Sequence, residues 1–252
     1  MRVTSHAVAL LCSAALLGCE GDPKKNPFEP PPKETKEPPP LKEPPKPSGP
    51  PDLSIDNLGP KVGYTRVMVD RNDTKSRLEE ALGEHKQHFD GKQVTLRVDR
   101  KAKPDWVALV IDELAELGAS TVLLKTESRP EYPKELTFVP EDELGDAPAC
   151  TVVAMILEDR GTAVWKVSGG TASKRPKGFA GPDLSTTSET LERYSKGCKD
   201  SKRLLVAGAE GVEWGLVYDL AAAGRKLEDA AFEEFVLLEE RPVAGRKVEL
   251  AD

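Results

Sequence analysis

At 252 residues the chain has room for one or two domains. Its formal charge of −7 argues against a general nucleic-acid binder, which would be basic, and an aromatic content of 5% disfavours a base-stacking or sugar-stacking surface. Hydrophobic content is only 38%, but 13 of the 22 prolines fall between Pro23 and Pro51, so the shortfall is local and the rest can build cores; no apolar run reaches the ~18–20 residues that span a bilayer.

Arg2 gives a short positive start, and residues 7–18 are apolar or small throughout. A run of about 12 residues suits the core of a secretion signal and is too short for a stable spanning helix. It ends in Leu16, Leu17, Gly18 and Cys19, followed by Glu20, Gly21 and Asp22. This resembles the lipobox of bacterial lipoproteins, with Leu three residues before the cysteine and a small residue just before it. The resemblance implies that residues 1–18 are a cleaved signal peptide. It also implies that Cys19 becomes the first mature residue, with a diacylglycerol on its thiol and a palmitate-type acyl chain on its amine. Several acyl chains anchor stably where one is marginal. Glu20, which is not the Asp known to retain some lipoproteins at the inner membrane, points to the outer membrane and to a periplasm-facing protein of the cell envelope.

Residues 19–57 read as the lipidated cysteine followed by a disordered Pro-rich linker. Between Pro23 and Pro51 there is Pro, Lys and Glu with little apolar beyond Phe28 and Leu41. Such a composition buries too little surface to offset chain entropy. It predicts an extended spacer whose 29 residues reach about 90 Å at ~3.1 Å each.

Residues 58–140 form a first unit. Residues 64–69 alternate as a strand, and Asp73 caps a helix through Leu78, Ala81 and Leu82 toward Phe89. Residues 93–98 are a second strand with Val94, Leu96 and Val98 on one face. Pro104 suits the first turn of a helix whose Trp106, Val107, Val110, Ile111, Leu114 and Leu117 form an apolar stripe closed by Gly118. Residues 121–125 are a third strand, and residues 136–139 read as an edge strand. Residues 149–250 form a second unit. Residues 150–157 and 162–167 pair as a hairpin around the turn 158–161, and a polar, glycine-rich segment follows. Thr186 and Glu189, at capping-box spacing, open a helix. Residues 203–207 are a strand, Val212, Leu216, Leu220 and Ala223 a helical stripe closed by Gly224, and residues 232–238 and 246–250 two more strands.

Both units run helix, strand, helix closed by Gly, strand. The expected class is α+β, two tandem two-layer α/β units, each a small sheet with two helices on one face. Residues 94–100, 106–118 and 122–126 resemble the periplasmic domain of the ExbD/TolR biopolymer-transport family: an alternating strand ending in Asp, a turn, an amphipathic helix ending in Gly, and a strand ending near Thr. Asp99, Gly118 and Thr126 stand at the matching positions. The second unit fits the plan but has Ala207 or Ala209 where the Asp would be. The resemblance implies the fold and recognition of an envelope partner protein or peptidoglycan. It does not carry over proton coupling, because the short apolar segment here has no acidic residue. Since such domains dimerise, it implies either a homodimer or a monomer whose two units pair.

Once Cys19 is lipidated and Cys12 lost, Cys150 and Cys198 remain. An oxidising compartment favours a disulfide, with two buried thiols or a metal pair as alternatives. His85 and His88 have chelating spacing but no third ligand of clear spacing, so no metal is expected, and neither a catalytic set nor a cofactor is evident. A Ser-His-Asp hydrolase confined to the second unit is excluded, because no histidine falls there. Lys174, Arg175 and Lys177, among glycines that lack phosphate-loop spacing, form a candidate partner-binding loop or an ordinary insertion. The expected function is a non-enzymatic, membrane-anchored lipoprotein that binds a protein partner or cell-wall polymer, accessory to a biopolymer transport complex. The alternative is a structural scaffold or spacer with no transport role.

Overall fold

Leu53 and Ile55 point to one side of β1 (Leu53–Asp56), and the chain turns back antiparallel into β2 (Gly59–Val62). Asp56 Oδ1 accepts from Leu58 N at 2.8 Å, and Gly59 adopts φ +122° with Val67 O only 2.9 Å from where a Cβ would stand. Glycine therefore fits that turn where another residue would clash. The structure is a computed structural model that describes residues 49–69, 72–141, 148, 150–198, 202–228 and 231–250. The signal peptide, Cys19 and the linker up to residue 48 lie outside the described residues. The chain divides into Met1–Pro45 and Lys46–Asp252, and all the described residues belong to the second unit.

After β3 (Thr65–Arg66) come α1 (Thr74–Gly83), a 3-10 turn (Lys86–His88), β4 (Gln93–Val98), α2 (Pro104–Glu116), β5 (Thr121–Lys125) and β6 (Glu135–Phe138). The second half contains β7 (Val152–Ile156), β8 (Thr162–Lys166), β9 (Ser173–Arg175), the small strands β10 (Lys177–Gly178) and β11 (Gly181–Pro182), α3 (Leu184–Ser195), β12 (Arg203–Gly208), α4 (Trp214–Arg225) and β13 (Glu234–Leu237).

Each half repeats one strand order, β3-β2-β1-β4-β5 and β9-β8-β7-β12-β13, with its last three strands parallel. The expectation of two separate small sheets is wrong: the halves share a single 11-stranded mixed sheet with four helices. The joint is β6, expected at an edge. It runs antiparallel to β5 and parallel to β13, through Phe138 opposite Phe235 and Val139 N donating to Phe235 O at 2.9 Å. Phe138 lies 6.0 Å from both the Phe235 and Trp214 rings, so a buried aromatic cluster packs at the joint.

Other corrections are local. β1 lies within residues that composition assigns to the linker, and the strand expected at 64–69 is only the two residues of β3. The chain bends at Gly63 (φ +57°), which donates to Asp52 O. α3 starts at Leu184, before Thr186, because Asp183 accepts both Thr186 N (3.2 Å) and Thr186 Oγ1 (2.7 Å). Gly224 sits inside α4 instead of ending it.

Ten of the 12 residues of α4 are buried, including Ala221, Ala222, Ala223 and Gly224, which let the helix lie close to β12. A helix apolar on nearly all sides belongs in an interior. Residues 246–250 form no strand. They belong to a C-terminal segment running against the side of β8 that faces away from α3: Trp165 Nε1 donates to Arg246 O, Val248 N to Val167 O and Gly170 N to Gly245 O. Among the described residues no helix is long and apolar enough to cross a membrane.

Candidate functional site

The loop singled out by its charges forms a built corner at one end of the sheet. Lys174 and Arg175 lie on β9, the edge strand, opposite Ala163 and Thr162. After Pro176 the chain forms the β10–β11 hairpin, with Lys177 opposite Pro182 and Phe179 and Ala180 at its tip. Phe179 is 111% exposed, meaning that nothing packs on it. Lys174 and Lys177 are exposed and have no ion-pair or hydrogen-bond partner among the described residues, whereas Arg175 is half-buried.

Both ends of the hairpin are braced. Gly161, in the β7–β8 turn, would place a Cβ 2.5 Å from Arg175 O, so that turn presses directly on β9. Asp183 closes the far side as the cap of α3. Its hydrogen bond from the Thr186 hydroxyl holds its carboxyl below the usual carboxylate range, aided by the Thr186 backbone N–H and the positive charge of Arg175. Sequence reasoning found the cations here but gave no weight to Phe179, although an aromatic between two glycines in a basic segment was a visible signal.

At the opposite edge, β3 and α1 enclose a groove of about 620 Å³, lined by Val62, Thr65, Arg66, Arg77, Glu80 and His85 among others. Tyr64, in the turn between β2 and β3, is 97% exposed. Arg66 is fixed by two bonds to Asp56 (2.6 and 2.7 Å), which hold the Asp56 carboxyl below its usual range. His85 and His88 stand 6.3 Å apart, ring centroid to centroid. The cluster of metal-ligand type among the described residues lies elsewhere, at Asp112, Glu113 and Glu116, with carboxylate oxygens within 4.8 Å of one another. Lys75 Nζ already sits among them at 3.8, 3.4 and 3.1 Å, where a cation would go. Burial pushes the Glu113 carboxyl up despite Lys75, and the hydrogen bond to Glu116 leads in raising the Lys75 ammonium.

Asp99 shapes a turn: Lys101 N donates to its Oδ1 at 2.7 Å and Ala102 N to its carbonyl. The next residue joins the halves. Arg100 donates to Asp219 Oδ1 (3.0 Å) and Oδ2 (2.8 Å), to Gly215 O (3.2 Å) and to Glu127 O (2.6 Å), and Arg129 Nε stands 3.4 Å from Asp219 Oδ2. The bond to Asp219 is the main reason the Arg100 guanidinium is raised. Beside it Trp214 Nε1 donates to Thr126 Oγ1 and Tyr218 OH to Pro133 O. Sequence reasoning missed this cluster. The signal was Asp219 itself, a lone acid in an otherwise apolar helix.

Cys150, just before β7, and Cys198, just after α3, form a disulfide with Cα atoms 5.9 Å apart. It ties α3 to the end of β7 remote from the Phe179 hairpin. Cys19 lies outside the described residues. No known protein family, curated protein or solved structure matches this chain.

Proposed function

We propose that the chain is a non-enzymatic lipoprotein of the bacterial cell envelope, anchored through Cys19 and binding a protein partner at the groove between β3 and α1. The observation that carries the binding role is the groove itself. It is a groove at a sheet edge with both signs of charge along its walls, in Arg66, Arg77, Glu80 and Glu84, and the exposed Tyr64 is the chain neighbour of its lining residue Thr65. Such a mixture of an exposed aromatic with paired charges suits a protein surface more than a uniform polymer. The residues at 16–19 support the anchor, and the Cys150–Cys198 disulfide supports export to an oxidising compartment. The repeated element order of the two halves is in keeping with an ExbD/TolR-like origin, which makes a component of an envelope transport complex the partner proposed.

Replacing Cys19 by Ser is expected to release the protein into soluble fractions, and retention in the membrane contradicts the anchor. A photoreactive residue at position 64 is expected to crosslink in intact cells to one discrete envelope protein, with the crosslink lost in Arg77→Glu. A crosslink indifferent to Arg77→Glu, or none at all, refutes the groove as a docking site and favours a scaffold role.

A further inference from the structure

We infer that the Phe179 hairpin is a membrane-contact finger that places Phe179 among the acyl chains of a bilayer with anionic headgroups while Lys174 and Lys177 meet the headgroup phosphates. Phe179 is fully exposed at the tip of a hairpin whose strands are two residues each, with Pro176 before the first strand and Pro182 ending the second. Nothing in the fold calls for an apolar side chain there. An aromatic that packs on no part of its own protein is suited to an apolar medium that the protein meets from outside.

The charges fit the same surface. Lys174 and Lys177 point into solvent without partners among the described residues, Arg175 lies between them in sequence, and Arg160 is exposed on the adjoining turn. The acids at this corner are Glu158, Asp159 and Asp183. Asp159 is held by Gly161 N at 2.9 Å and Asp183 by Thr186, and these neutral donors leave both charged, so the four cations Arg160, Lys174, Arg175 and Lys177 exceed the acids by one. Aromatic residues favour the interfacial depth of a bilayer, and lysines reach from there to the phosphates. A soluble or wall-bound polyanion would use the lysines but gives Phe179 no apolar depth, which is why lipid is favoured.

The two exposed features stand at opposite edges of the 11-stranded sheet, β9 and β3. Neighbouring strands are about 4.8 Å apart, so the hairpin and the groove are separated by roughly 48 Å along the sheet. The hairpin and the groove therefore do not overlap. If the acyl anchor is as proposed, the tether keeps the finger at high local concentration near the bilayer, so a weak contact suffices. The contact itself stands apart from the groove proposal and can fail or hold without it.

The test uses the mature chain from position 19 with Cys19→Ser, so that neither the signal peptide nor an acyl chain contributes, floated with phosphatidylcholine vesicles with and without 30% phosphatidylglycerol in low salt. Binding is expected with the anionic vesicles, about 30-fold weaker in K174Q/K177Q and at least fivefold weaker in F179A, each in the same background. Both substitutions change exposed side chains only, and unaltered thermal melts would confirm that folding is intact. In the F179W variant the added emission should shift to the blue on anionic vesicles. Equal flotation of F179A and its parent, or an added emission that does not shift, overturns the proposal. So does binding of purified cell wall in preference to vesicles, which would assign the corner to a polymer.

Discussion

Replacing Asp219 by Ala tests what holds the two halves together. Asp219 is 1% exposed and accepts two bonds from Arg100, with Arg129 close to the same oxygen. Removing one member of a buried ion pair costs about 3–5 kcal/mol, because the other charge stays in place without its partner. Arg100 is 34% exposed and keeps the Gly215 and Glu127 carbonyls, so solvent and backbone offset part of that loss. The expected cost is therefore about 3 kcal/mol, the low end of the range. Equilibrium urea unfolding under non-reducing conditions reads it directly. At about 2 kcal/mol per molar urea, the midpoint of D219A should fall by roughly 1.5 M. R100A should lose less than D219A, since Arg129 still faces the buried carboxylate. The double variant should cost clearly less than the sum of the two, because both remove one interaction. A midpoint within 0.2 M of the parent in about 2 kcal/mol-per-molar unfolding, or strict additivity in the double variant, would show that the cluster does not join the halves.

Three more outcomes are expected. The disulfide closes a loop of 48 residues, so C150S/C198S should lose about 4 kcal/mol and become insensitive to dithiothreitol; a parent midpoint that dithiothreitol does not move refutes the bridge. Glu113 has its carboxyl raised by burial above the ordinary 4.5, so its contribution to stability is full below that value and is lost as pH rises through the folded value. The stability of the parent minus that of E113Q should accordingly decline with pH above 4.5, and a flat difference curve contradicts the assignment. In Gly224→Ala, a Cβ would stand 2.7 Å from Leu204 Cδ2 and 3.2 Å from Phe232. Better helix propensity is worth about 1 kcal/mol and overpacking costs about 1–3, so the melting temperature should fall, and a rise would refute the tight contact.

The repeated plan of the halves was legible because each strand–helix–strand segment writes its period locally. Val94, Leu96 and Val98 alternate along β4, and all three are buried. Pro104 opens α2, and Gly118, at φ +92°, follows its end. The single sheet was not legible, since its joint depends on one residue pair, Phe138 and Phe235, about a hundred positions apart, and no local pattern encodes it. β1 was hidden by the prolines around it. Of the candidate site, the cations on β9 and β10 stood out by composition, but whether they were free or paired depends on the fold. Asp99 drew notice by its place in a motif, whereas the residue that binds the second half is Arg100, whose partner lies 119 positions away.

The halves share an order of strands yet use the face opposite their buried strand residues differently, and their sequences say so once the pairing is known. In β4, Gln93, Thr95 and Arg97 are exposed, with Arg97 paired to Asp52 and Gln93 reaching Thr121 and Thr137. This polar alternation is that of a sheet with one side in water. In β7 and β12 every residue is buried, and both read as near-continuous apolar runs. Such strands need cover on both sides, and in this chain the C-terminal segment supplies part of it, with Ala244, Val248 and Leu250 packed on the core and Arg246 O accepting from Trp165. The same segment meets the loop after β8, where Gly169 would place a Cβ 2.8 Å from Lys247 N. That contact fixes one end of β8, and the turn 158–161 presses on β9 at the other. The hairpin thus leaves β9 at the residue against which Gly161 packs, so the tip that carries the exposed Phe179 grows from a packed strand end.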